Sequence, residues 1–373
     1  MKSDQLRRTD RMAACAAIGA LPGLEDGMRS RREILKGGGA GFLLAGSGTL
    51  WTQAPVAQFA DVDPEMVDDL RLLQEMVVSA DNLTAFRHRP VAQRAHPMPP
   101  LPPVATARLP VVMVPGLPGQ PAVRTVQFDG APGRKDRGAV IWLHGGGYVA
   151  GAAGIPVDLR LAAQRRGWLV VSVEYRLAPE ATVAKSSADN YAALRWVHEN
   201  AATLGVDRSR IAVGGASAGG GHAAMLALAA RDRGEVKLAY QVLIYPMLDD
   251  RTGSSRPARP GTGQYVWTAK ANRFGWSSLL GVPAGGMQVP VGVVPARRSD
   301  LGGLPPAFVG VGTLNLFLDE DLAYAGALRA AGVPVDLLVV PAAFHAFDSA
   351  APMARASQNF TRNWIADLEK VLT

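Results

Sequence analysis

Cysteine and long apolar runs are almost missing from this chain of 373 residues. The single cysteine, Cys15, precedes the region that we expect to fold, which excludes disulfides and thiol chemistry from the body of the protein. No apolar run reaches the roughly 18 uncharged residues that a membrane-spanning helix needs. His88, His96, His198 and His222 show no spacing typical of metal ligands, so we expect neither a metal nor an organic cofactor.

The chain also has only a small excess of positive over negative charge outside its amino terminus. The formal net charge is +7, but residues 1–36 hold eight Lys or Arg against five Asp or Glu and so supply +3 of it. The remaining +4 is weak evidence for nucleic acid or any other acidic partner. Hydrophobic residues make up 48%, an ordinary globular composition with room for one large domain and insertions.

The amino terminus has the layout of an export signal. Arg31 and Arg32 precede Lys36 and then the glycine-rich, uncharged run over 37–50, which is typical of a twin-arginine signal. The alternative is a short basic amphipathic helix. We predict that residues 1–60 are a signal and leader and that the protein is periplasmic or extracellular. If Met28 is the true start, Met28-Arg29-Ser30 makes a normal signal beginning.

Residues 61–120 are expected to precede the main sheet and to form part of a cap. Over 61–80, Pro64 stands at a first-turn position and apolar residues recur at helical spacing, which predicts a helix. The proline-rich stretch 96–121 predicts a linker with short extended segments.

From residue 139 onward, strand-like runs alternate with helical ones, which predicts a mainly parallel α/β sheet flanked by helices over 121–373. The expected strands are 139–143, 168–174, 210–213, 238–245, 307–312 and 335–340. The region 251–304 breaks this rhythm and is rich in Gly, Pro and Trp, so we predict a cap insertion there. Its aromatic residues Trp267, Phe274 and Trp276 form either the core of the insertion or a lid over a pocket.

Ser217 lies in the pattern that organises the chain, Gly215-Ala216-Ser217-Ala218-Gly219, between a strand and a helix. This G-x-S-x-G pattern at a strand-to-helix turn is typical of a nucleophile elbow, which exposes the serine hydroxyl at the edge of a sheet. The glycines permit a close approach of strand and helix. A phosphate-binding loop is the alternative, but it would show a Lys followed by Ser or Thr where His222 and Ala223 stand.

Two further segments accompany this serine. His144-Gly145-Gly146-Gly147 follows a buried strand about 70 residues upstream, and its glycines leave backbone N–H groups free to stabilise an oxyanion. His345 follows the last strand, where a base could reach Ser217, and the chain order serine, acid, histidine is that of α/β-hydrolases. Arg176 and Glu180 are predicted to form structural ion pairs.

Over 140–347 these motifs together resemble the bacterial hormone-sensitive-lipase-like family of serine carboxylesterases. The resemblance implies an α/β-hydrolase core with a cap. It further implies Ser217 as the nucleophile, His345 as the general base, and an oxyanion hole formed by the N–H groups of Gly146, Gly147 and Ala218. The expected partner is a small-molecule ester.

Asn315 departs from the family pattern, because an aspartate acid is expected at that position. Asparagine accepts a hydrogen bond from a histidine but cannot stabilise an imidazolium by charge. Either Asn315 impairs the triad, or Asp319, one helical turn later, replaces the acid. Ala216 and Ala346 also replace residues usual in the family. Two functions follow: an exported esterase for short- to medium-chain acyl esters, or a hydrolase-fold binding protein with little turnover.

Overall fold

The computed structural model describes residues 59–73, 77–89, 94–96, 98–290 and 292–373. The predicted signal around Arg31 and Arg32 lies outside these residues. Within them, the strands are β1 (Val111–Val114), β2 (Val123–Asp129), β3 (Arg137–Leu143), β4 (Leu169–Val173), β5 (Val206–Ala216), β6 (Tyr240–Ile244), β7 (Ala307–Gly312) and β8 (Val335–Val340).

The helices of the described residues include several of only one turn. They are α1 (Val67–Leu72), α2 (Leu83–Arg87), α3 (Pro103–Thr106), α4 (Val157–Arg166), α5 (Val183–Glu199), α6 (Ala201–Leu204), α7 (Ala218–Arg233), α8 (Ala269–Leu280), α9 (Leu318–Ala330), α10 (Phe347–Ala350) and α11 (Arg355–Leu372), with 3₁₀ turns at Pro64–Met66 and Pro295–Arg297. None of the described helices is long and apolar enough to cross a membrane.

The eight strands form one sheet in the order β1-β2-β4-β3-β5-β6-β7-β8. Neighbouring strands from β4 across to β8 run parallel, whereas β2 is antiparallel to both β1 and β4. Every residue of β3 and β4 is buried, as expected for parallel strands that are covered on both faces. The predicted α/β-hydrolase sheet is therefore confirmed.

Alternate residues of β3 face opposite sides of the sheet, and each side has its own hydrophobic core. Ile141 packs in the cluster that includes residues of α5, α7 and α9, whereas Trp142 packs in the cluster that includes residues of α4 and α11. A third cluster joins Tyr148, Trp267 and residues of α2 and α8. The two main clusters hold the central strands rigidly.

The sheet brings the two glycine-containing loops together at its topological switch point. The chain passes from β3 to β4 on one side and then returns to β5 on the other side of β3. The carboxyl ends of β3 and β5 therefore border the crevice where ligands bind in open α/β sheets. Leu143 at the end of β3 pairs with Gly215 at the end of β5.

The structure differs from the sequence prediction near the start of the described region. The helix predicted over 61–80 ends at Leu72, where Leu73 takes an extended backbone with φ −77° and ψ 124°. Further along, the Asn82 side chain accepts from Ser79 N–H and donates to the Val77 carbonyl in a local turn, an arrangement that competes with helix. The stretch 96–121, predicted as a linker with short extended segments rather than a helix, contains the extended strand β1 but also the one-turn helix α3, and β2 was not predicted. Arg176 and Glu180 do form ion pairs, with Asp189 and Arg87.

Candidate active site

Ser217 stands at the turn between β5 and α7. Its backbone has φ 57° and ψ −123°, in a region that non-glycine residues rarely adopt. The turn is held by the Ser217 N–H, which donates to the Ile244 carbonyl at 2.9 Å, and by the Ser217 carbonyl, which accepts from Met247 N–H at 3.0 Å. A Cβ on Gly219 would lie 2.0 Å from the Leu143 carbonyl oxygen. The pattern of small residues therefore permits a turn that presents the hydroxyl to a cavity.

The loop after β3 carries Gly146 and Gly147 beside this turn. Their φ values are 124° and 61°, which favour glycine. Among the described residues, no acceptor takes a hydrogen bond from the backbone N–H of Gly146, Gly147 or Ala218. Tyr175 fixes the start of the loop, since its hydroxyl donates to the His144 carbonyl at 2.6 Å. These N–H groups can therefore donate to an oxygen of a bound molecule.

His345 lies on the loop between β8 and α10, within hydrogen-bond distance of Ser217. Its Nε2 is 2.9 Å from Ser217 Oγ, and its Nδ1 is 3.3 Å from Asn315 Oδ1. The imidazole is almost fully buried, with the rings of Tyr245 and Phe317 at centroid distances of 5.0 and 5.2 Å. This burial lowers the pKa of His345 to about 3, so the ring is neutral near pH 7 and can accept a proton.

Asn315 determines which nitrogen of His345 carries the proton. Its Oδ1 accepts from the backbone N–H of Phe317 at 3.0 Å, which identifies that atom as the carbonyl oxygen. His345 Nδ1 must then donate to the same oxygen, which leaves Nε2 as the acceptor facing the Ser217 hydroxyl. The Asn315 side chain is fully buried, and its Nδ2 has no partner among the described residues.

Asp319 and Glu320 point elsewhere. The Asp319 carboxylate is half-exposed and forms an ion pair with Arg259 at 2.6 Å. Glu320, the next residue of α9, is buried and accepts from the backbone N–H groups of Leu248 and Asp249; burial raises its pKa to about 8. The only hydrogen-bond partners of the His345 ring within the described ranges are Ser217 and Asn315.

A cavity of about 1050 Å³ opens over Ser217 and His345. Its apolar floor includes Trp142 and Trp364, whose rings stack with centroids 5.7 Å apart. In the region 251–304, Trp276 is buried core, whereas Trp267 is buried and borders the cavity. No group of three acidic, histidine or cysteine side chains placed to hold a metal occurs among the described residues.

Sequence reasoning missed the side chains that shape the cavity. Trp364 lies on α11, more than 140 residues after Ser217, and Asp158 lies on α4, which was not predicted. Neither belongs to a local motif. Tyr245 was expected only as the end of a strand; it contacts His345 and donates to Asp348 at 2.7 Å. The sequence shows that Trp364 and Tyr245 are aromatic, but it does not show that they line the same cavity as Asp158.

Comparison with known proteins identifies relatives over most of the chain. Residues 140–349 match a family model described as an α/β-hydrolase fold. Carboxylesterase NlhH of Mycobacterium tuberculosis is 35% identical over 268 residues, covering 67% of this chain and 82% of that protein. Esterase LipI of the same species is 30% identical over 316 residues, covering 83% and 95%. The solved structure of a bacterial heroin esterase superposes with a TM-score of 0.73 at 30% identity, covering 84% of this chain and 99% of that one.

The chain belongs to the α/β-hydrolase family, among its bacterial carboxylesterases of the hormone-sensitive-lipase-like type. The resemblance predicted from the sequence is thereby confirmed, and the protein is a carboxylic ester hydrolase.

Proposed function

We propose that this chain is a serine esterase for short- to medium-chain acyl esters, with Ser217 as nucleophile, His345 as general base and Asn315 as the residue that orients the histidine. The observation that carries the proposal is the 2.9 Å separation of Ser217 Oγ and His345 Nε2, directly beside unpaired N–H groups. A nucleophile within hydrogen-bond reach of an oriented base is the arrangement that acyl transfer requires.

The reaction follows from these positions. Ser217 Oγ attacks the ester carbonyl carbon while His345 Nε2 takes its proton, and the N–H groups of Gly146, Gly147 and Ala218 stabilise the oxyanion. The tetrahedral intermediate collapses when His345 returns this proton to the departing alcohol. Water then attacks the acyl-enzyme with His345 again as base, and Ser217 is regenerated. As the acid leaves, His345 returns the proton taken from water to Ser217 Oγ, so that one ester and one water give one acid and one alcohol.

Asn315 limits the same reaction. It holds the tautomer that a general base needs, but its neutral amide cannot offset the charge of the imidazolium that forms in the transition state. Burial already disfavours that charge, as the lowered pKa of His345 indicates. This neutral side chain favours a second candidate, an impaired esterase or binding protein that acylates slowly or not at all.

A covalent serine probe combined with turnover tests the proposal. We expect a fluorophosphonate to add once, on the tryptic peptide 211–231, whose only serine is Ser217, and p-nitrophenyl acetate and butyrate to be hydrolysed. Heat-denatured protein is the control and should remain unlabelled. Labelling without turnover would favour the impaired esterase, and the absence of both would favour the binding protein.

We also propose that the protein is exported through its twin-arginine-type signal, on the strength of the Arg31-Arg32 pair before an uncharged run. Cells that express the full chain should contain a shortened form in the periplasmic fraction. The Arg31→Lys, Arg32→Lys double variant should stay in the cytoplasm at full length. The same cytoplasmic, full-length product for both proteins would contradict export.

A further inference from the structure

The space around Ser217 is unequal on its two sides. On one side lies the cavity of about 1050 Å³. The third hydrophobic cluster, which includes Ala218 directly after the serine, is instead closed: Met247, Trp267, Trp276 and Phe317 are each at most 1% exposed. The reacting carbon of an ester carries two substituents, the acyl chain and the alkoxy group of the alcohol. The cavity has space for a large substituent, whereas the closed cluster does not.

Trp267 is the member of the closed side that borders the cavity. Its indole lies against Gly147, where a Cβ would come within 2.1 Å of the ring atom Cη2, and its centroid is 6.3 Å from that of His345. The indole N–H donates to Asn272 Oδ1 at 3.2 Å, and Asn272 Nδ2 donates to the Thr252 carbonyl at 2.8 Å. The ring is therefore fixed by packing and by hydrogen bonds.

The backbone before Trp267 supports this rigidity. Val266 has φ 63°, a conformation that is unfavourable for a β-branched residue and persists only where the surroundings impose it. Val266 also borders the cavity. The strained backbone at Val266 thus accompanies the position of the Trp267 indole beside Gly147.

The position of His345 decides which substituent enters the cavity. The departing alcohol oxygen must come within about 3 Å of His345 Nε2 to receive its proton. The residues that follow the histidine, including Ala346, Asp348 and Pro352, line the cavity, so the alcohol extends into it. With the carbonyl oxygen directed at the N–H of Gly147, the acyl chain is then directed at Trp267.

We propose that Trp267 truncates the acyl side of the site, so that the preferred substrates are esters of a very short acid, such as acetate, with a bulky and largely apolar alcohol. This inference rests on the proposed esterase function and narrows it. Trp267 acts here as a specificity-determining residue, since it bounds the space for the acyl group without taking part in proton transfer.

Two isomeric esters test the direction. Phenethyl acetate and ethyl phenylacetate are isomers, and each releases a primary alcohol. The bulky ring is on the alcohol in the first ester and on the acyl group in the second. Because one methylene in a restricted pocket already changes kcat/KM by about 10- to 200-fold, we expect at least a tenfold preference for phenethyl acetate. A preference for ethyl phenylacetate, or none, would overturn the proposal.

Substitution of Trp267 tests the residue. Trp267→Leu should raise the kcat/KM ratio of p-nitrophenyl octanoate to p-nitrophenyl acetate by at least tenfold, and the milder Trp267→Phe should change it in the same direction. The matched control is Trp276→Leu, which removes a fully buried indole from the same cluster away from the cavity and should leave the ratio unchanged.

The experiments distinguish a wrong role for Trp267 from a lack of esterase activity. The ratios are measured in this chain and in its Asn315→Asp variant, because a change of rate common to both esters cancels in a ratio. Equal shifts for Trp267→Leu and Trp276→Leu would overturn the role of Trp267 while leaving the esterase function intact. A lack of turnover of every ester in both backgrounds would overturn the esterase function, and this inference with it.

Discussion

Replacing Asn315 by aspartate is expected to raise kcat for p-nitrophenyl butyrate by about 10²- to 10⁴-fold, since the reverse change in a serine protease lowered kcat about 10⁴-fold. One carboxylate oxygen would keep the bonds that Asn315 Oδ1 makes with Phe317 N–H and His345 Nδ1. The other would occupy the position of Nδ2, which has no partner among the described residues to lose. The gain is charge: the carboxylate stabilises the imidazolium that forms as Ser217 attacks.

Asn190→Asp provides a matched control for this variant. Asn190 is also a fully buried asparagine whose side-chain amide has no partner within the described residues, but it borders a different cavity. Both variants bury a carboxylate and should lower the thermal midpoint, whereas only Asn315→Asp should accelerate turnover. If Asn315→Asp gives no gain and Asp319→Asn removes activity, Asp319 is the acid and our assignment of position 315 is wrong.

The pH dependence of kcat/KM gives a second readout of the same variant. The neutral form of His345 is the active one, and burial places the pKa of this residue at about 3. Protonation therefore begins far below the ordinary histidine range, so activity should be nearly level from pH 8 down to 5. A carboxylate at position 315 favours the charged ring and raises the pKa of His345, so the acid limb should move upward in Asn315→Asp. An acid limb at the same pH in both proteins would show that residue 315 is not coupled to His345.

The features that depend on local steric requirements could be predicted from short sequence motifs. The turn at Ser217 and the loop at Gly147 depend on glycines whose missing Cβ atoms leave room for neighbouring backbone or rings, and such requirements are visible in a short pattern. Strands β7 and β8 have the bounds that were predicted from the sequence, 307–312 and 335–340. His345 was predicted from its loop after the last strand, from chain order and from the family resemblance, and its Nε2 lies 2.9 Å from Ser217 Oγ.

Features that depend on distant partners were not predictable in this way. The antiparallel strand β2 has no continuous apolar run, because Arg124, Thr125 and Gln127 interrupt its apolar residues. Trp267 was visible as an aromatic residue, yet its contact with Gly147 joins positions 120 residues apart. The consequence of Asn315 also needed the structure, since the pairing of Asp319 with Arg259 directs that carboxylate away from the histidine.

Removal of the Ser217 hydroxyl is expected to have very different effects in two backgrounds. In a serine protease, loss of the serine alone costs about as much as loss of the whole triad, near 2 × 10⁶ in kcat. If Asn315 already lowers kcat about 10⁴-fold relative to a complete triad, Ser217→Ala should lower kcat by only about a further 10²-fold in this chain. In the Asn315→Asp variant the same change should cost about 10⁶-fold, and the two Ser217→Ala proteins should have equal residual rates.

This unequal loss follows from the way the three side chains act. The residue at position 315 influences the reaction only by orienting and stabilising the ring of His345, and that ring matters only while Ser217 has a proton to give. Steady-state hydrolysis of p-nitrophenyl butyrate by the four proteins measures the coupling, and Ser186→Ala, at a fully buried serine on α5, is the control that should leave kcat unchanged. Equal losses in both backgrounds would mean that residue 315 acts independently of Ser217, and Asn315 would then be a buried structural residue beside a catalytic pair.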